Sequence, residues 1–219
     1  MLKIITVDGP SGVGKGTLCE RLCQMTGFHF LDSGAIYRSL AYGVILEKLS
    51  LDHEADLVAL AASLPVQFQT GKIYYTQDDI TQQIRNEEVA AMASQVAAIP
   101  SVRAALLQRQ KDFAQPPGLV ADGRDMGTVV FPQADLKLFL TASAQIRAER
   151  RVNQLKNQGL TANIDQIISD IEARDERDRN RSVAPLIPAD DAFVIDTTSL
   201  NIEQVVEKST EIMQQRAIL

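Results

Sequence analysis

The sequence predicts an α/β protein, a parallel sheet with helices on both faces. Three observations predict it. Short apolar runs alternate with longer amphipathic stretches along the 219 residues, the pattern of strand–helix–strand units. A glycine-rich loop, GPSGVGKGT at residues 9–17, joins the first apolar run to the first helical stretch. Asp32, Asp122 and Asp196 each close an apolar run, which is where sheets of this kind bind ligands.

The first strand is Ile4 to Val7, and the helix after the loop begins around Leu18 and runs past Cys23. Gly9, Gly12, Gly14 and Gly16 let the backbone turn tightly, so that successive N–H groups point at one anion. The helix adds the positive end of its dipole. Lys15 is placed for the β- and γ-phosphates of a nucleotide. The position after the lysine is Gly16 rather than Ser or Thr, with Thr17 one step later. A direct hydroxyl–magnesium contact is therefore not expected, and the ion would rest on phosphates and waters. This loop resembles that of nucleoside monophosphate kinases more than that of GTPases.

Further strands are predicted at 30–32, 119–122, 136–140 and 193–196. Helices are predicted at 35–47, 55–63, 87–98, 102–114, 144–158, 164–181 and 202–216. Residues 65–85 break the alternation. Val66–Gln69 is extended, Thr70-Gly71 turns, Ile73 to Thr76 is extended again, and Gln77-Asp-Asp79 turns before Ile80. This reads as a small antiparallel insert. Pro116-Pro-Gly118 reads as a rigid connector.

Composition narrows the classes. Acidic residues outnumber basic ones, 28 to 22, for a net charge of −6, which argues against broad affinity for nucleic acid. No apolar run reaches the ~18 residues of a membrane span, and the N-terminal residues show no signal-peptide pattern. The two cysteines, Cys19 and Cys23, sit four apart and read as small apolar residues on a buried helix face. A zinc site would need two more ligands near them. With no disulfide framework, a cytoplasmic protein is expected. His29 is expected to be packed and His53 to lie in an exposed loop, neither with a catalytic partner.

Three charged segments follow strands or cap helices. In LDSGAIYR, residues 31–38, Ser33 and Gly34 can cap a helix from Ala35. Arg38 then lies one turn in, as an anion ligand or as a plain surface arginine. In VADGRDMG, residues 120–127, Asp122 can hold magnesium through water, with Arg124 and Asp125 beside it. Three charges in four residues after a buried strand are costly unless they face ligand or solvent. In RDERDRNR, residues 174–181, a helix puts Arg174, Arg177, Asp178 and Arg181 on one face. Arg177 and Arg181 repel by about a few tenths of a kcal/mol, partly offset by an Arg174–Asp178 pair. Such a face is either solvated or made for oxyanions, which guanidinium grips in two-pronged fashion. Arg147, Arg150 and Arg151 form a second cluster, and Gln158-Gly-Leu160 is the turn between the two helices. An arginine-bearing helical hairpin beside a phosphate loop suggests a lid.

Taken in order, GPSGVGKGT, LDSGAIYR, ASQVAAIPSVR (residues 93–103), ADGRDMGTVVFP (residues 121–132) and RDERDRNR span nearly the whole chain. Together they resemble the bacterial cytidylate kinase family of P-loop proteins. The first loop would fit many kinases; GRDMGTVVFP and the arginine run are far more particular.

That resemblance implies one P-loop domain over 1–219, with a monophosphate-binding subdomain at about 34–114 and a lid at about 144–181. It implies transfer of the γ-phosphoryl group of ATP to CMP or dCMP, with Mg2+, by a monomer. ATP would contact Gly9, Pro10, Ser11, Gly12, Val13, Gly14, Lys15, Gly16, Thr17 and Arg150. Ser94, Arg103 and Asp125 would read the cytosine. Arg38, Arg124 and Arg181 would hold the CMP phosphate near Ser33. Arg174 and Asp178 would contact the sugar. Lys15, Arg124, Arg177 and Arg181 would carry the catalysis, and Asp122 the metal through water. Two other readings stay open on the residues alone: another acceptor such as UMP or AMP, or a nucleotide-dependent switch. The guanine-reading N-K-x-D pattern is absent, which weakens a GTPase switch.

Overall fold

The computed structural model describes residues 2–69, 71–157 and 159–218. They fall into two compact units, Met1–Leu31 with Lys111–Leu219, and Asp32–Gln110.

The first unit is built on β1 (Lys3–Asp8), the central strand of a five-stranded sheet. Around it lie β2 (His29–Asp32), β6 (Gly118–Gly123), β7 (Leu136–Thr141) and β8 (Phe193–Asp196), in the order β2-β6-β1-β7-β8. The pairings β1–β6, β1–β7 and β7–β8 are parallel. Register decides where chemistry can sit. Val7 lies beside Asp122, Asp8 beside Gly123 and Phe139, and Thr141 beside Asp196. The carboxyl ends of these strands therefore form one edge, which carries the polar residues.

Strands buried on both faces read as continuous apolar runs, and these do. Ile5, Val7, Val120, Leu138 and Leu140 pack with Leu18 and Leu22 of α1 (Lys15–Thr26) and with Val205 and Met213 of α8 (Ile202–Gln215). Gly27 ends α1 in the left-handed conformation, a common helix stop. An Asn201–Gln204 capping box starts α8. The same unit holds α6 (Ala144–Asn157) and α7 (Ile164–Arg179).

The second unit holds α2 (Ser33–Leu46), α3 (Glu54–Ala62), α4 (Glu87–Val96) and α5 (Pro100–Lys111, which begins in it). Its antiparallel sheet consists of β3 (Val66–Gln69), β4 (Lys72–Tyr75) and β5 (Asp78–Asp79). Of the expected turn at Gln77-Asp-Asp79, Gln77 does lie in a turn, but Asp78–Asp79 forms a two-residue strand, with Tyr75 opposite Asp78. Of the expected turn residues, Thr70 and Gln158 lie outside the described residues.

Three other expectations change. Asp32 rather than Ser33 caps α2, its Oδ1 accepting from the Ala35 N–H at 2.7 Å. A carboxylate at a helix start gains from the dipole as well as the hydrogen bond. His29 is exposed rather than packed, and its ring reaches the Pro116 carbonyl at 2.8 Å. α7 stops at Arg179, so Arg181 lies beyond the helix. The chain folds back there, with the Leu186 N–H donating to the Asp178 carbonyl.

Candidate active site

The phosphate loop grows from the end of β1. At Gly9 a side chain would land on the Leu140 carbonyl oxygen, and its φ of 143° lies in the region that favours glycine. Gly14, also at positive φ, is the N-cap of α1. The first N–H groups of that helix thus face the loop's mouth, unclaimed by helix carbonyls.

Lys15 is only 6% exposed in its side chain. Its Nζ donates to the Pro10 carbonyl at 2.9 Å and lies 3.8 Å from Asp122 Oδ1. Burial pushes its pKa down to about 8 and Arg124 pushes the same way, while Asp122 opposes. The ammonium is therefore charged at neutral pH, but held closely and poorly hydrated. Asp122 Oδ2 lies 3.8 Å from where a Cβ on Gly16 would be. A carboxylate at this distance from the loop suits an ion held through water. Gly16 offers no hydroxyl and Thr17 is exposed, so the donor set fits such outer contact.

After β6 the chain makes a tight π-type turn, Met126–Val130. Sequence periodicity gave no sign of it. Arg124 and Asp125 stand between strand and turn. Arg124 Nε donates to Asp178 Oδ2 at 3.3 Å and its Nη1 to the Gly123 carbonyl at 3.2 Å. Arg181 donates to the other oxygen, Asp178 Oδ1. Asp178 is 2% exposed in its side chain. The arginine face is thus not left to repel itself: Asp178 sits inside it and serves two guanidinium groups. Arg177 is exposed and Arg174 half-buried, so those two differ in surroundings although three residues apart.

Arg147 and Arg150 have local partners. Arg147 is buried, with Nη1 and Nη2 donating to Asp175 at 3.1 and 2.5 Å, Nε to the Ala142 carbonyl, and Nη1 to the Ser11 carbonyl at 3.2 Å. It ties α6 to α7 and both to the phosphate loop. Arg150 donates to the Thr197 carbonyl at 2.6 Å and to its hydroxyl. The acids that close the other strands are engaged locally: Asp196 accepts from Thr198, and Asp32 holds Arg38 at 2.9 Å besides capping α2.

Within the second unit, Ser33, Ser94 and Arg103 are buried. Ser33 Oγ donates to Gln110 Oε1 at 2.6 Å, a partner the sequence did not suggest. Arg103 donates to the Ala97 carbonyl at 3.1 Å and stands 5.5 Å from the Tyr37 ring centre.

Asp8, also missed, is the last residue of β1. Burial raises its pKa to about 7, opposed by hydrogen bonds from the Gly127 and Met126 N–H groups. From the ordinary value of 3.8 up to about 7, the folded protein holds a proton that the unfolded chain has released. Stability should therefore fall as pH rises through that window, with the loss complete above it. Urea midpoints at pH 5 and pH 7.5 should show this decline, and Asp8→Asn should flatten it. An equal decline in the variant would assign the effect to other groups.

Among the described residues, no single helix is long and apolar enough to cross a membrane. The family model described as cytidylate kinase matches residues 5–215. Cytidylate kinase of Pasteurella multocida (strain Pm70) is 56% identical over 216 residues, 97% of this chain and 95% of that protein. Those of Shewanella halifaxensis (strain HAW-EB4) and Enterobacter sp. (strain 638) are 53% and 52% identical, covering 97% and 99% of this chain and 95% and 97% of theirs. A solved gluconokinase from Sinorhizobium meliloti 1021 matches 97% of this chain and 92% of its own at 14% identity and a TM-score of 0.48, a likeness too distant to bear on function. With a family model spanning the sheet, the phosphate loop and the arginine-bearing helices, and relatives above half identity over nearly the full length, the chain belongs to the cytidylate kinase family.

Proposed function

We propose that this chain transfers the γ-phosphoryl group of ATP to CMP or dCMP, giving ADP and CDP or dCDP. The observation that carries the reading is one edge of one sheet. It holds the Lys15 loop, Asp122 and the Arg124–Asp125 turn, in a chain of the cytidylate kinase family.

The ATP phosphates lie against the loop N–H groups of residues 9–17. Lys15 exchanges the Pro10 carbonyl for a γ-phosphate oxygen. The acceptor is a phosphate oxygen of CMP, already anionic, so no general base is needed. Catalysis is alignment plus neutralisation of charge on the transferring group. Lys15, Arg124, Arg177 and Arg181 supply the positive charge. Asp122 would hold Mg2+ through water, and that ion, when bound, would neutralise charge on the phosphate groups. Arg38, Arg124 and Arg181 hold the CMP phosphate, with Ser33 nearby, and Arg150 contacts ATP. Arg174 and Asp178 contact the sugar. Asp178 accepts from two arginines and a carboxylate has about four acceptor positions, so it retains capacity for a sugar hydroxyl. The α6–α7 hairpin acts as a lid that keeps water from competing as acceptor.

Cytosine presents an amino donor where uracil presents a carbonyl. Asp125, with Ser94 and Arg103, reads that difference. ADP release with CMP, dCMP, UMP and AMP tests the reading. CMP and dCMP should lead by orders of magnitude. Equal rates with UMP or AMP would overturn the acceptor assignment, and turnover only with a protein partner would favour a switch. Asp125→Asn should lower kcat/KM for CMP by about 1–3 kcal/mol and narrow the CMP-to-UMP ratio. An unchanged ratio would take Asp125 out of base reading.

A further inference from the structure

We infer that Asp8 is a positioning residue for the acceptor: its carboxylate anchors the turn that carries Arg124 and Asp125. This rests on the reading of those two residues given above. Asp8 Oδ1 accepts from the Met126 N–H and Oδ2 from the Gly127 N–H, each at 2.8 Å. These are the opening N–H groups of the π-type turn, which the turn's own carbonyls do not reach. Its internal bonds run from Val130 N to the Asp125 carbonyl and from Phe131 N to the Met126 carbonyl. A carboxylate from a neighbouring strand thus does the work of an N-cap.

The register completes the argument. Asp8 lies beside Gly123 in the β1–β6 pairing. Strand pairing fixes the chain at Gly123, and the Asp8 side chain fixes it again at Met126 and Gly127. Only Arg124 and Asp125 lie between the two clamps. The residue type matters as well. Among short side chains, an ionised Asp, the form that prevails here above a pH of about 7, alone offers two acceptor atoms; Asn offers one and sets a donor against the second N–H. Burying that carboxylate is costly, which a mere spacer at the end of β1 would not require. The charged groups that face it are Lys15, which favours the ionised form, and Asp125, which opposes it.

The test is a split between the two substrates in the full-length enzyme. Asp8→Asn should raise the KM for CMP about tenfold or more, the scale of one lost charged hydrogen bond. It should narrow the CMP-to-UMP ratio and leave the KM for ATP within about twofold. Gly127→Ala provides a second route. Its Cβ would stand 2.9 Å from Thr6 Oγ1 and 3.1 Å from Lys137 Cδ, displacing the same turn with Asp8 intact, and the same split should appear. Should Asp8→Asn fail to fold, Gly127→Ala decides. If both variants fold and leave the CMP KM and base preference unchanged, or raise both KM values equally, the inference is wrong. Asp125→Asn, run alongside, separates the failures. If it too leaves CMP unaffected, the reading of the turn has failed; if it alone acts, only the role of Asp8 has.

Discussion

Lys15→Ala should lower kcat by about a hundredfold or more, with CMP affinity within about twofold of the parent. The size follows from where the ammonium stands. It is buried, held by the Pro10 carbonyl and 3.8 Å from Asp122, so its charge is fixed in place before substrate arrives. Preorganised charge aimed at a transferring group is among the largest catalytic contributions, and its removal typically costs two to three orders of magnitude, ~3–4 kcal/mol. CMP binding should be spared because, on the proposed reading, Lys15 serves the donor phosphates. Steady-state kinetics with calorimetry of CMP binding checks both halves. Near-parental turnover would remove Lys15 from the mechanism; a large loss of CMP affinity would mean that the substitution disturbs more than the donor loop.

Arg147→Met should destabilise the protein by about 3–5 kcal/mol, because it leaves a buried carboxylate without its main partner. Asp175 is 7% exposed in its side chain and receives both Arg147 nitrogens; Arg179 stands 4.0 Å away and can compensate only in part. The loss should show in urea midpoints at constant slope. Adding Asp175→Leu should recover much of it, since a buried ion pair replaced whole by apolar groups is often neutral. If the double variant is no better than the single, the cost lies instead in the bonds from Arg147 to Ala142 and Ser11.

The strand–loop–helix unit was legible because its spacing is a local geometric demand, and the alternating apolar runs then implied the parallel sheet. The antiparallel insert was legible from its period of two. What escaped the sequence depends on contacts far apart in the chain. Asp8 reads as the polar end of a strand until register puts it beside Gly123. Arg147 reads as one more arginine in a cluster, although it is the buried strut between α6, α7 and the loop. The π-type turn has no periodic signature, since it spans barely one turn. Asp32 was passed over as the cap of α2 because Ser33 is an equally good capping type, and only backbone geometry chooses between neighbours. The arginine run was visible, but its charge balance was not: one buried aspartate serves guanidinium groups from two distant segments.

That aspartate has a consequence for ligand exchange. Asp178 is an internal counter-ion, already seated between Arg124 and Arg181. On the proposed reading, an arriving CMP phosphate does not fill a bare cationic cleft. It must share or displace an anion that the chain itself supplies. Chloride and other weakly held anions gain little from entering on those terms, while a dianion that can engage both forks at once still does. If the acceptor phosphate binds here as proposed, the site would discriminate by valence as well as by shape.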